Sequence, residues 1–240
     1  MPASLLLRGE DLTGVDGVVA TAYAELRTVD ELFSTYREDS DVSRIRRGEL
    51  VAGDADPLVG QVLALCEQAR QDTDGWFDVD LPGGLDPSGL VKGWAIERCL
   101  AILSALTDVD ICLNVGGDVA VRVEPGRQPF VAGIEDPHDR SALVTTVPLT
   151  YGGLATSGTA ARGAHIVDPT TGRPVAEIAS ISVVGPSLMW ADVYATAAFA
   201  QGLSGLRWLA AKPSYQAVVV HLDGRVETTR GWPVAAGAGG

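Results

Sequence analysis

The chain has 240 residues, of which 46% are hydrophobic, and a formal net charge of −13. Such a charge repels the phosphates of nucleic acid and the surface of an anionic membrane, so neither is an expected partner. An anionic small ligand would need local cations or a metal to settle here. No apolar run reaches the roughly 18 residues of a membrane span, and MPASLLLRGED at the start is too brief for a secretory signal. No membrane insertion and a cytoplasmic setting are therefore expected. Cys66, Cys99 and Cys112 are odd in number, far apart and set in apolar patterns. They suit buried free thiols rather than a disulfide framework or a zinc motif.

In chain order, residues 4–8 (SLLLR) predict a strand. Between Asp11 and Phe33, apolar residues at 15, 18, 19, 22, 26, 29, 32 and 33 trace one helical stripe. Ser40 and Asp41 suit the cap of a short helical turn. Asp56-Pro57 is an N-cap and first-turn pair, opening a helix with Leu58, Val62, Leu65, Cys66 and Ala69 inward. DTDGWFDVDLPGGLDPSG (72–89) reads as a loop. Its first nine residues hold four Asp, but the spacing lacks the glycine and glutamate of an EF-hand.

A second long helix is expected over Gly89–Leu106, with Lys92 in its first turns. Strands follow at 111–115, 118–123, 130–137, 142–152 and 176–185, helices at 188–201 and 205–212, and a hairpin about Asp223-Gly224. Together these predict an α+β fold, a largely antiparallel sheet with packed helices. One domain over 1–234 and a flexible tail at 235–240 (AAGAGG) complete the expected organisation. Neither a dinucleotide-binding G-x-G-x-x-G nor a Walker loop occurs.

The densest polar stretch is 154–175, LATSGTAARGAHIVDPTTGRPV. Thr156 and Ser157 offer hydroxyls, Gly158 admits close backbone approach, and His165 precedes the apolar pair Ile166 and Val167. Asp168-Pro169 and Thr171-Gly172 carry turn chemistry. The stretch fits a binding site. It equally fits a polar loop, then a strand ending in a tight turn. In ADVYAT, Asp192 and Thr196 stand four residues apart, on one helical face. That pair is a hard-oxygen half-site suited to Mg²⁺, or an Asp that bonds a buried Thr.

Six stretches stand out in order: FSTYREDSDVSRI, GWFDVD, LDPSGLVKGWAIE, LNVGGDV, TSG with HIVDPTTGRPV, and MWADVYATAAFAQG. Together they resemble the ApbE family of magnesium-dependent flavin transferases, from Phe33 to Gly202. The resemblance implies a T-fold-like architecture. It places Phe77 and Asp78, with Trp76 as a stacking surface, at the flavin, and Ile166 in contact with it. Asp86 and Lys92 surround the dinucleotide, beside Thr156, Ser157 and Gly158. Asp192, Thr196 and the carbonyl of Gly89 hold the metal. Loop aromatics such as Trp76 and Phe77 also commonly anchor to a core, and a lone Lys such as Lys92 is commonly solvated. Asn114, Gly116, Gly117 and Asp118 fit a tight turn beside the site.

The implied activity is transfer of FMN from FAD to a Thr or Ser hydroxyl of an acceptor flavoprotein, with release of AMP and with Mg²⁺ as cofactor. Asp192 serves the metal, and His165 is the candidate general base. Two alternatives keep part of the site: an FAD pyrophosphatase with water as acceptor, and a non-catalytic FAD-binding protein. The sequence departs from the family where an M-G-T strand is usual. Arg46 replaces Asn, Glu97 replaces Asp, and the segment between TSG and His165 is short. These departures bear on acceptor choice and catalysis more than on flavin binding.

Overall fold

The first strand, β1 (Ala3–Arg8), half-buries Ala3, Leu5 and Leu7 against the rest of the protein and leaves Ser4 and Leu6 outward, as a pleated edge strand does. This computed structural model describes residues 1–81, 83–159 and 166–233. His165 and the 235–240 tail lie outside them. Helix α1 (Asp16–Phe33) buries Ala22, Val29 and Phe33 along its stripe. Its apolar pattern starts at residue 15, but the helix begins one residue later, with Val15 at the N-cap. Short helix α2 (Asp41–Arg46) is capped by Ser40, whose hydroxyl accepts the Ser43 N–H at 3.0 Å and donates to the Ser34 carbonyl at 2.7 Å. Helix α3 (Pro57–Asp72) starts where Asp56 accepts the Leu58 N–H at 2.8 Å, with proline in the first turn.

The acidic loop after α3 holds a two-residue ribbon of β2 (Asp80–Leu81) and β3 (Gly84–Leu85). Helix α4 (Ser88–Leu103) follows, then β4 (Asp110–Val115), β5 (Asp118–Arg122), β6 (Phe130–Glu135), β7 (Leu143–Leu149) and β8 (Tyr151–Gly158). The expected single strand over 142–152 is two: Thr150 separates β7 from β8, which then runs on through the TSG triplet. The triplet is therefore the end of a strand and not a loop. A short ribbon of β9 (Val167–Asp168) and β10 (Arg173–Pro174) flanks the turn at 168–172. Then come β11 (Ile178–Gly185), α5 (Leu188–Ala200), α6 (Gly205–Leu209), β12 (Gln216–His221) and β13 (Val226–Thr228).

Seven strands form one antiparallel sheet, in the order β1-β4-β5-β8-β11-β12-β13. One face carries the helices over the main core. The other carries the β6–β7 ribbon, which encloses a second core of Val121, Phe130, Ile134, Val147, Leu154 and Val218. This is the α+β arrangement expected, with each sheet face buried under its own layer.

Helix α5 is the central piece. All its residues are buried except Trp190 and Thr196, which are half-buried. Such a helix is stable only inside a core. Its alanines let α4 and the sheet close on it. At the α4 contact, a Cβ on Gly93 would fall 2.7 Å from Met189 Cα, so glycine is required there. Glu97 of α4 accepts the Ser187 hydroxyl at 2.8 Å and the Met189 N–H at 3.2 Å. The longer side chain at this departure from the family pattern thus binds the amino end of α5 to α4. No helix among the described residues is long and apolar enough to cross a membrane.

Candidate active site

A cavity of about 1130 Å³ opens where the ends of β5 and β8 meet the first turn of α4 and the middle of α5. Every predicted site residue within the described part lies on its wall: Trp76, Phe77, Asp78, Asp86, Gly89, Lys92, Thr156, Ser157, Gly158, Ile166, Asp192 and Thr196. Five separate stretches of sequence thus converge on one space. His165 is the predicted residue that the description does not reach.

At the inner wall Lys92 extends from α4 toward two buried carboxylates. Its Nζ lies 2.9 Å from Asp118 Oδ2 and 3.7 Å from Asp192 Oδ1. Asp118 is 1% exposed and heads β5 directly after the Gly116-Gly117 turn. Both glycines have positive φ, 61° and 99°, and Asn114 Oδ1 accepts the Gly117 N–H, so the expected tight turn is present. Burial pushes the Asp118 carboxyl above the usual carboxylate range. Lys92, the Thr156 N–H and Asp192 act in the opposite direction. Among the described residues, two buried carboxylates here face one ammonium.

Hydroxyls surround this cluster. Ser157 and Thr196 are 3.3 Å apart, joining the end of β8 to α5. Thr156 shares a 2.7 Å hydrogen bond with Ser182 of β11. Gly89 faces Thr196 so closely that an added Cβ would lie 3.2 Å from Thr196 Oγ1, and as far from the Phe77 ring. Asp192, Thr196 and Gly89 all line the cavity, and Gly89 packs directly against Thr196.

Phe77 anchors to the core and also borders the cavity. It is buried in the main core, its N–H donates to Thr73 Oγ1 at 3.0 Å, and its ring edges the cavity. Trp76 is half-buried beside it. Asp86 and Asp78 each accept a backbone N–H two residues on, from Ser88 and Asp80, which fixes the acidic loop. Ile166 is held by the Val175 N–H donating to its carbonyl at 3.1 Å.

Sequence reasoning missed three parts of the wall. Asp118 was assigned to the turn alone, and its pairing with Lys92 needs the tertiary fold. Met1, Pro2 and Ala3 line the cavity, with the Gly116 N–H donating to the Pro2 carbonyl. Strand β1 thus enters the wall at its first residue, directly after Met1 and Pro2. Tyr36, strongly exposed, stands at the mouth. The aromatic residue in FSTY was its signal.

Other expectations are corrected. Cys66 and Cys99 are buried free thiols, but Cys112 is only half-buried and borders the cavity. It lies in a cross-strand row with Leu6 and Val121 on the face that the β6–β7 ribbon leaves partly open. Arg46 stays off the wall. Its guanidinium donates to the Gly83 carbonyl at 2.5 Å and covers Gly84, bracing the β2–β3 ribbon.

The wall is acidic overall. Among the described residues it carries Asp78, Asp86, Asp118, Glu135, Asp136 and Asp192 against Lys92 and Arg140. An anionic ligand would meet repulsion there unless a further cation came with it.

The ApbE family model matches residues 4–83 and 81–219. An FAD:protein FMN transferase of Rhodobacter capsulatus is 33% identical over 155 residues, covering 60% of this chain and 29% of that protein. One from Vibrio cholerae is 27% identical over 238 residues, covering 74% of this chain and 71% of that protein. The chain thus matches under a third of the first relative's length. Among solved structures, an ApbE protein of Thermotoga maritima superposes with a TM-score of 0.82 at 20% identity, covering 95% of this chain and 93% of that one. The apo form of the Pseudomonas stutzeri flavinyl transferase ApbE gives 0.77 at 23% identity, covering 95% of each. With the family pattern matched along most of its length and the fold shared with solved ApbE structures, this chain belongs to the ApbE family.

Proposed function

We propose that this chain moves FMN from FAD to a threonine or serine hydroxyl of an acceptor flavoprotein and releases AMP, in a magnesium-dependent reaction. The observation that carries this reading is the gathering of Lys92, Asp192 and Thr196 on one wall of a cavity whose other walls hold Trp76, Phe77 and Ile166. The names of the relatives support the same chemistry.

The donor set fits Mg²⁺. Asp192 and Thr196 supply a carboxylate and a hydroxyl one helical turn apart, with Gly89 packed against Thr196. These are hard-oxygen groups. Among the described residues no three His, Cys, Asp or Glu side chains form a cluster able to hold an ion. Such a site suits an ion that keeps waters and takes substrate phosphate oxygens, as Mg²⁺ does. When bound, the metal would neutralise charge on the diphosphate as AMP leaves.

The chain's own residues do the rest. Lys92 offers its ammonium to a phosphate oxygen of FAD. The apolar edges of Phe77, Trp76 and Ile166 suit the flat isoalloxazine. The acceptor oxygen forms a bond to the phosphorus of the FMN half, and the bond from that phosphorus to the oxygen of AMP breaks. His165, as general base, takes the hydroxyl proton, since imidazole titrates near neutrality.

The test is to incubate the protein with FAD, Mg²⁺ and a candidate acceptor, then read flavin fluorescence on a denaturing gel. Fluorescence that stays with the acceptor is expected. Free FMN accumulating equally without acceptor means that water is the acceptor. FAD binding that is indifferent to Mg²⁺, with no turnover, means a binding protein.

A further inference from the structure

The aromatic wall of the cavity and the pair Asp192 and Thr196 stand on different elements, and a lysine distant in sequence joins them. Trp76 and Phe77 follow α3 through the turn at 73–75. Every backbone N–H from Thr73 to Phe77 is hydrogen-bonded within that turn and the last turn of α3: to the carbonyls of Ala69, Gln71, Arg70 and Thr73 and, for Phe77, to Thr73 Oγ1. Asp74 and Gly75 have positive φ, 53° and 81°. A turn so fully bonded moves with the end of α3 rather than by itself. Lys212, between α6 and β12, holds that end. Its Nζ donates to the Asp72 carbonyl at 2.7 Å and to Asp72 Oδ2 at 2.9 Å, an ammonium at the carboxyl end of a helix.

The same groups reach α5. The Tyr194 hydroxyl donates to Asp72 Oδ2 at 2.8 Å, and Tyr194 stands midway in sequence between Asp192 and Thr196. The Lys212 ammonium lies 5.0 Å from the centre of the Tyr194 ring and 4.9 Å from that of Trp208 on α6. Tyr194 in turn meets Trp208 and Tyr215 edge to face. We infer that Lys212 is a positioning residue: through Asp72 and Tyr194 it fixes the end of α3 against α5, and so sets the place of Trp76 and Phe77 relative to Asp192 and Thr196. Lys212 is off the cavity wall and acts through these partners. The inference rests on the reading that Trp76 and Phe77 receive the flavin.

The experiment is titration of FAD and, separately, of ADP, each in Mg²⁺, into four full-length proteins: wild type, Lys212→Met, Tyr194→Phe and Trp76→Ala. ADP carries adenosine and a diphosphate without the flavin, so it reports the rest of the site. Flavin fluorescence reads FAD, and calorimetry reads ADP. Lys212→Met is expected to weaken FAD binding about tenfold, the lower end of what a hydrogen bond to a charged group contributes. Tyr194→Phe, which deletes one hydroxyl and keeps the ring, should weaken it about threefold. ADP affinity should stay within about twofold of wild type in both. Trp76→Ala, which removes part of the wall itself, should show the same contrast between FAD and ADP.

A lysine that merely stabilises the fold would leave FAD affinity unchanged or weaken FAD and ADP alike, and either result in Lys212→Met overturns the inference. Wild-type FAD affinity in Tyr194→Phe overturns it too, and that variant decides alone if Lys212→Met does not fold. Unaltered FAD affinity in Trp76→Ala sinks the flavin-wall reading and the inference together. Weakened FAD binding in Trp76→Ala beside an unaltered Lys212→Met sinks the inference alone. A wild type that binds FAD but not ADP contradicts the contrast that the inference predicts.

Discussion

Gly93 of α4 meets Met189 of α5 backbone to backbone: a Cβ at 93 would lie 2.7 Å from Met189 Cα and 2.9 Å from the Leu188 carbonyl oxygen. Neither obstacle is a side chain that can swing away. Gly93→Ala is therefore expected to push the two helices apart and lower stability by roughly 1–3 kcal/mol. The urea midpoint should fall with little change in slope. Because Lys92 and Asp192 sit on these two helices, FAD affinity should fall as well.

Lys92→Met tests the ammonium's place at the diphosphate. A hydrogen bond to a charged group contributes about 1.5–3 kcal/mol, so loss of this one should weaken FAD binding by between about tenfold and a hundredfold. Fluorescence titration of FAD in Mg²⁺ reads the change. Unaltered affinity would remove Lys92 from the ligand's contacts.

His221 ties stability to pH away from the site. It is buried on β12, and its Nδ1 lies 3.4 Å from the Arg225 guanidinium. Burial first, and Arg225 second, hold its imidazole below the usual value of 6.5. The unfolded chain therefore binds a proton at a higher pH than the folded one. Stability is full above about pH 6.5 and falls as the pH drops through that value toward the lower folded pKa. His221→Gln should flatten this slope, measured as urea midpoints between about pH 7 and pH 5.

The helices were legible in the sequence because local signals agree with the global packing. Asp56-Pro57 starts α3 as a cap pair should, and the apolar stripe up to Phe33 ends with α1. The TSG triplet misled because its hydroxyls look like a loop. In the fold those hydroxyls find Ser182 and Thr196, so a polar strand end costs little. The break at Thr150 was invisible because β7 and β8 are both strands, one in the ribbon and one in the sheet. That Asp192 and Thr196 share one helical face was readable from spacing alone. Asp118 was not, because it meets Lys92 only when α4 docks against the end of β5.

The central claim is that Asp192 serves a magnesium-dependent cleavage of FAD. Its most direct test is AMP release from FAD, followed by chromatography across a Mg²⁺ titration, for wild type and Asp192→Ala. The account predicts release that rises with Mg²⁺ in the wild type. In the variant it predicts a loss of at least about a hundredfold, since metal stabilisation of transition-state charge amounts to several kcal/mol. Asp192→Ala releasing AMP at the wild-type rate, with the same dependence on Mg²⁺, would contradict it.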